Sequence, residues 1–254
     1  MELQKILSQI TKADQEYQLI QDGDKIAVGI SGGKDSMLLL TALSIYTRFS
    51  KHPFEVIAIH IDVGFSGMDF HEVETFCASY QIPFYNLKTE IYEILQLYKK
   101  KDDSLECSLC AKLKKGAIIK EAKRLGCNKI AFGHHGDDAI ETLLLNMIHG
   151  ARFATFPAIM YLSREEISLI RPLIYCFEED IIKAVTNSKI PFVKSTCPND
   201  GFTQRQDIKE LLNTIYHNYP QAHPNFLKAL HNEDQMELWK TEIRLAKDTK
   251  KRTD

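Results

Sequence analysis

The chain has 254 residues, enough to bury one sizeable core, and its 44% hydrophobic and 26% charged residues are the balance of an ordinary globular protein. No apolar run approaches the length of a bilayer span, so a helical membrane protein is excluded and no membrane partner is expected. The formal net charge of −2 removes any global electrostatic argument for a nucleic-acid partner.

In chain order, MELQKILSQITKADQEYQLI alternates charged and apolar residues at helical spacing. It predicts an amphipathic helix over 2–20, stopped by Asp22-Gly23-Asp24, and not a secretion signal. The protein is therefore expected in the cytoplasm. In that reducing compartment its six Cys are thiols, metal ligands or redox groups before they are a disulfide framework. Lys25 to Ile30 (KIAVGI) suits a buried parallel strand running into a Gly-rich turn. A helix follows over 35–49, with Met37, Leu38, Leu39, Leu40 and Leu43 as its apolar surface. Strands are predicted at 54–61, 83–87 and 129–132, and helices at 69–80 and 112–125, the last stopped by Gly126. Beyond these come a strand-like 167–173, a short helix at 178–188 and a last strand at 190–194. From Gln204 the sequence is helical, with a break at Tyr219-Pro220.

Such alternation predicts an α/β fold, a parallel sheet flanked on both faces by helices. Residues 1–200 form that domain and 201–254 a C-terminal helical extension packed on it. Ligands of such folds sit beyond the strand C-termini. Positive charge gathers at Lys99-Lys100-Lys101, at Lys112, Lys114, Lys115, Lys120, Lys123 and Arg124, and again from Lys247 to Arg252. Runs of this kind suit a solvated helix face as well as a polyanion.

The sharpest local signal is Ser31-Gly32-Gly33-Lys34-Asp35-Ser36, between a predicted strand and a helix N-terminus. Successive backbone N–H groups there form an anion nest, to which the helix dipole adds partial positive charge. Gly32 and Gly33 let a phosphate approach the backbone. Lys34 brings a full charge, Ser31 and Ser36 hydroxyls, and Asp35 a carboxylate that can orient the loop or reach Mg²⁺. The spacing is neither G-x-x-x-x-G-K-S/T nor G-x-G-x-x-G. A second motif follows KIAF: Gly133-His134-His135-Gly136-Asp137-Asp138-Ala139-Ile140-Glu141-Thr142. Its adjacent carboxylates suit a helix N-terminus, where they can hold Mg²⁺ or merely cap the helix.

Cys107-Ser108-Leu109-Cys110 opens the Lys-rich helix, putting two thiols on adjacent turns of one face. The dipole and the neighbouring lysines are expected to favour thiolate. Cys197, in Thr196-Cys197-Pro198-Asn199, is a third candidate, whereas Cys77, Cys127 and Cys176 are expected to fill the core. Three thiolates can hold a [4Fe–4S] cluster with one open iron, or Zn²⁺ with His134, His135 or water as fourth ligand.

The SGGKDS loop resembles that of the PP-loop ATP pyrophosphatases, and the GHHGDDAIET element resembles that of their tRNA-modifying members. With Gly23-Asp24-Lys25, Cys107-x-x-Cys110, Arg171-Pro172-Leu173, Glu178 to Ile181 and Gln204-Arg205-Gln206 in order, almost the whole chain resembles the TtcA family, the tRNA 2-thiocytidine synthetases. The resemblance implies the adenine nucleotide alpha hydrolase-like fold and ATP cleaved between its α and β phosphates. It implies adenylation of the cytosine C2 oxygen, then sulfur transfer by way of a [4Fe–4S] cluster on Cys107, Cys110 and Cys197. The family pattern carries a second C-x-x-C before the Gln-Arg-Gln element, whose first position here is Lys194. ATP would lie over Ser31 to Ser36, its adenine against the backbone of Gly29-Ile30 and His60-Ile61, with Gly133 and Asp138 alongside. Lys34, Asp35 and Asp138 would be catalytic, Asp138 as the Mg²⁺ ligand. The implied partners are the anticodon loop of tRNA, a sulfur donor such as a cysteine desulfurase, and a second copy in a homodimer. A lysidine-forming PP-loop ligase would need no cysteines, and a non-catalytic adenine-nucleotide-binding protein would need no Asp-Asp pair.

Overall fold

The computed structural model describes residues 2–99, 104–199 and 204–235. Lys100, Lys101 and, of the expected C-terminal extension, 201–203 and 236–254 with the Lys247 to Arg252 tract lie outside the described residues. Within them the order is α1 Glu2–Tyr17, β1 Asp24–Ile30, α2 Lys34–Tyr46, β2 Phe54–Asp62, α3 His71–Ser79, β3 Phe84–Lys88, α4 Ile91–Leu97, α5 Cys107–Arg124, β4 Lys129–Ala131, α6 Gly136–Gly150, β5 Ile159–Leu162, β6 Ile167–Ile170, α7 Glu178–Asn187, α8 Gln204–Asn218 and α9 Ala222–Ala229.

The strands lie in the order β3-β2-β1-β4-β6-β5. The first five are parallel, with Val28 of β1 between Ala58 and Ala131. The period-2 alternation of the strands sorts two cores. Ile26, Val28 and Ile30 of β1 face α1, α2 and α7, whereas Ala27 with Ile57, Ile59 and Ile61 of β2 faces α4 and α5. A third cluster, Ile140, Ile208, Leu212 and Leu227, docks α8 and α9 on α6. Cys77, Cys127 and Cys176 are buried in the first two cores, as expected of thiols that pack.

The expected sheet flanked by helices is present and largely parallel, with β5 added at its edge as an antiparallel hairpin with β6. One expectation fails. Residues 190–194 are not a strand: Pro191 removes the ladder donor that a strand needs. The segment instead crosses the Gly-rich turn, where Val193 N–H donates to Gly32 O at 2.8 Å. Gly126 does end α5, at φ +76° with its N–H on Lys123 O.

Candidate active site

The end of β1 and the start of α2 shape the phosphate loop. Ser36 Oγ donates to Gly33 O at 2.9 Å and lies 3.2 Å from Ser31 Oγ, which accepts from Gly33 N–H. Gly32 has φ +90°, a left-handed conformation that a side chain would strain. A Cβ on Gly133 would lie 2.9 Å from Asp35 C and 3.0 Å from Ser36 N, so the turn after β4 packs directly on the loop backbone. The N–H groups of Lys34, Asp35 and Ser36 open α2 and find no protein acceptor among the described residues. Three such donors at a helix N-terminus fit a phosphate group.

The loop's charged side chains are held by carboxylates. Lys34 Nζ lies 3.0 Å from Glu178 Oε1, at the start of α7, and 3.2 Å from Asp35 Oδ1. Burial works against the ammonium, but Asp35 and Glu178 outweigh it and raise its pKa. Lys209 of α8 binds the other Glu178 oxygen, and burial of Glu178 is outweighed by these two lysines, so its carboxyl titrates below the ordinary range. Asp35 Oδ1 is buried and accepts no hydrogen bond.

At the start of α6, Asp138 accepts from His135 N–H at 3.0 Å through one oxygen. Through the other it accepts from Arg205 Nη1 at 2.9 Å. The same guanidinium reaches Glu141 Oε2 and Thr142 Oγ1, each at 3.2 Å. Asp137 turns away from the loop, accepting from Glu178 N–H at 2.7 Å and pairing with His223 of α9. Burial opposes its charge, but His135, His223 and that N–H hold it well below the carboxylate range. For His135, burial is outweighed by Asp137, Asp138 and Asp35, and the imidazole is raised. Its neighbour His134 goes the other way, depressed by burial, with Arg171 and Arg205 adding to the effect. Glu141 is raised by burial against the pull of Arg205.

The Cys197 segment, distant in sequence, is tied to the start of α5. Asn199 Nδ2 donates to Leu105 O at 2.8 Å and to Cys107 Sγ at 3.2 Å. Cys110 senses the charges of both Cys197 and Cys107. Its thiol is pushed up, because burial outweighs Lys114, so the expectation of a favoured thiolate fails at Cys110. Soft, partly exposed, unbridged sulfurs are the right chemistry for an iron–sulfur cluster. Among the described residues no three His, Cys, Asp or Glu side chains are yet set as a metal-holding group, at the thiols or at Asp138.

Lys34, Asp35, Ser36 and Asp138 thus share one site with Ser31, Gly32, Gly33 and Gly133. Gly29 and Ile30 end β1 beside it. The His60 ring is committed elsewhere: Nδ1 lies 2.8 Å from Ile30 O and the ring stacks on Phe70. The backbone of His60 is in register with Ile30 and Asn86, and that of Ile61 with Leu87. Glu178, Lys209, Arg205, His223 and Asn199 were given no role by the sequence. Glu178, Arg205 and Asn199 stand in segments quoted above, but no spacing links them to the loop, and Lys209 and His223 carry no signal at all.

The sequence matches the PP-loop domain family over residues 2–215. It is 40% identical over 225 residues to a tRNA-cytidine(32) 2-sulfurtransferase of Pelobacter propionicus, covering 88% of this chain and 83% of that protein. To the protein of that name from Geotalea daltonii it is 41% identical over 231 residues, covering 90% and 91%. Among solved structures it is similar to the U34-tRNA thiolase NcsA from Methanococcus maripaludis with its [4Fe-4S] cluster. The TM-score there is 0.72 at 20% identity, over 93% of this chain and 80% of that one. This last likeness speaks for the fold, whereas the first three place the sequence. The chain belongs to the PP-loop family and, within it, to the tRNA-cytidine(32) 2-sulfurtransferases.

Proposed function

We propose that the protein is an ATP-dependent sulfurtransferase that replaces the C2 oxygen of a tRNA cytidine with sulfur. One observation carries this reading beyond family membership. Val193 is bonded to Gly32 of the phosphate loop, and Cys197 follows four residues later, so the Cys197 backbone is at most ~14 Å of extended chain from Val193. Adenylation and sulfur delivery can therefore act on one base without releasing it.

In this reading the N–H groups of Lys34, Asp35 and Ser36 hold the ATP phosphates, and the Gly29-Ile30 and His60-Ile61 backbone receives the adenine. The cytosine O2 attacks the α-phosphorus, the bond to the β-phosphate oxygen breaks, and pyrophosphate leaves. Lys34 compensates the charge gathering on it, the kind of preorganised field that dominates such sites. A sulfur nucleophile then attacks C2, and AMP departs carrying the former O2. Cys107, Cys110 and Cys197 would hold a [4Fe–4S] cluster, which would supply an open iron for binding sulfide-level sulfur.

Asp35, whose Oδ1 accepts no hydrogen bond and lies beside Lys34, and Asp138, whose Oδ1 accepts from Arg205, would hold Mg²⁺, which would supply charge compensation for the ATP phosphates. Sulfur comes from a donor such as a cysteine desulfurase. The protein acts in the cytoplasm as a homodimer, for which Met147, Ile148 and Phe153 at the end of α6 offer exposed apolar surface. Residues 201–254 serve the PP-loop domain of 1–200 as an extension, Arg205 and Lys209 being their contribution to the site. Purified protein given ATP, a sulfide source and unmodified tRNA under anaerobic conditions should release AMP and pyrophosphate and form 2-thiocytidine, read by nucleoside mass spectrometry. ATP cleavage without thiolated nucleoside would overturn the reading.

A further inference from the structure

Helix α5 carries an irregularity that its packing does not explain. Gly116 sits in the middle of an 18-residue helix, where glycine is destabilising relative to alanine. It has no positive φ, and a Cβ there would meet nothing within 4 Å. Neither backbone conformation nor a protein neighbour requires it, and a residue that breaks a local rule without a packing reason points to function.

What surrounds it is charge of one sign. Lys112, Gly116 and Lys120 lie at i, i+4 and i+8, with Lys115 and Lys123 three residues from the first and last lysine, so all five share the outer face of α5. All five are exposed. Lys123 lies 3.9 Å from Glu166, while Lys112, Lys115 and Lys120 have no ion pair among the described residues. Between Cys107 and Lys120 the helix holds four lysines and no carboxylate, although an overall charge of −2 makes acidic residues abundant elsewhere. Like charges at helical spacing repel, so this face costs stability in the free protein. The lysine row begins two residues beyond Cys110 and runs away from the thiols.

We infer that the outer face of α5, centred on Gly116, docks the phosphodiester backbone of the RNA substrate. The inference rests on the tRNA reading above. Lysines at Lys112, Lys115, Lys120 and Lys123 neutralise successive phosphates. Gly116 leaves a gap in the row through which a phosphate comes close to the helix itself, which a side chain would prevent. The strand held there leads toward the Cys107 end of the helix, where the base receives its sulfur. Such contacts fix position and register without reading sequence.

The test is binding of unmodified transcribed tRNA to the full chain as a function of salt, for the wild type, Gly116→Glu, and Lys112→Gln with Lys115→Gln and Lys120→Gln combined. Gly116→Glu places a carboxylate one turn from Lys112 and from Lys120, so the helix gains ion pairs and a loss of RNA affinity cannot come from unfolding. The expected result is at least a tenfold weakening for both variants. The triple variant should also show a shallower log K against log salt slope, by ~2 for three lost phosphate contacts. ATP binding should stay unchanged. Wild-type affinity in both variants would overturn the assignment of this face alone. A wild-type protein that does not bind tRNA would overturn the tRNA reading itself. Loss of binding to phosphatidylserine vesicles with tRNA binding intact would reassign the face to a membrane surface.

Discussion

Arg205 donates to Asp138 at 2.9 Å, so the second acid of the Asp-Asp pair is neutralised by a guanidinium from a helix more than sixty residues away. The carboxylate expected to bind metal also anchors α8. Arg205→Ala removes the fork that spans Asp138, Glu141 and Thr142. With the guanidinium 42% exposed, the loss should be only about 0.5–1 kcal/mol in chemical denaturation. Pyrophosphate release should fall tenfold or more. Arg205→Lys should not restore it, since an ammonium cannot reproduce the fork.

Asp138→Asn separates the two roles of that carboxylate. If Asp138 takes Mg²⁺ during turnover, the rate falls and is partly rescued at high Mg²⁺. A rate insensitive to Mg²⁺ in the variant would leave Asp138 as the anchor of Arg205 only.

Lys34→Ala should lower pyrophosphate release by about 10²–10³-fold, the scale of losing one preorganised charge. Its melting temperature should barely change, because Lys209 still compensates Glu178. Unchanged turnover would remove Lys34 from the site.

The neighbouring histidines should give opposite pH dependences of stability. His135 is raised, so its contribution is complete below the ordinary 6.5 and is lost as pH rises through the higher folded value. His134 is depressed, so its contribution is complete above 6.5 and is lost as pH falls toward the lower folded value. Urea denaturation from pH 5 to 8 should therefore show His135→Gln losing the alkaline decline and His134→Gln losing the acid one.

Anaerobically purified protein should be brown. Cys107→Ala, Cys110→Ala and Cys197→Ala should each bleach it and stop sulfur transfer while sparing ATP binding, whereas Cys77→Ala and Cys176→Ala should keep the colour. A colourless anaerobic preparation with stoichiometric zinc would overturn the cluster assignment.

The sequence makes the local parts of this site legible. Apolar runs mark β1 and β2 because both faces of those strands are buried. The glycines and serines of the phosphate loop carry their chemistry in their spacing. Helix α4 escapes notice because seven residues are too few to establish a helical period, and strand β5 because none of its four residues at the sheet edge is buried. The strand expected at 190–194 was an apolar run whose Pro191 decided otherwise. Arg205, Lys209 and His223 could not be read, because ordinary surface residues become site residues only when the third core seats α8 and α9 on α6.

The bond between Val193 and Gly32 also sets a constraint on length. One inserted residue between Val193 and Cys197 would displace the third sulfur by up to ~3.5 Å, more than the tolerance of any metal ligand. Insertions after Leu162, in the hairpin turn at the sheet edge, would move neither centre. Homologous chains should therefore vary freely in that turn and hold the four-residue interval fixed, so a simple count of residues would distinguish chains able to deliver sulfur from those that only cleave ATP.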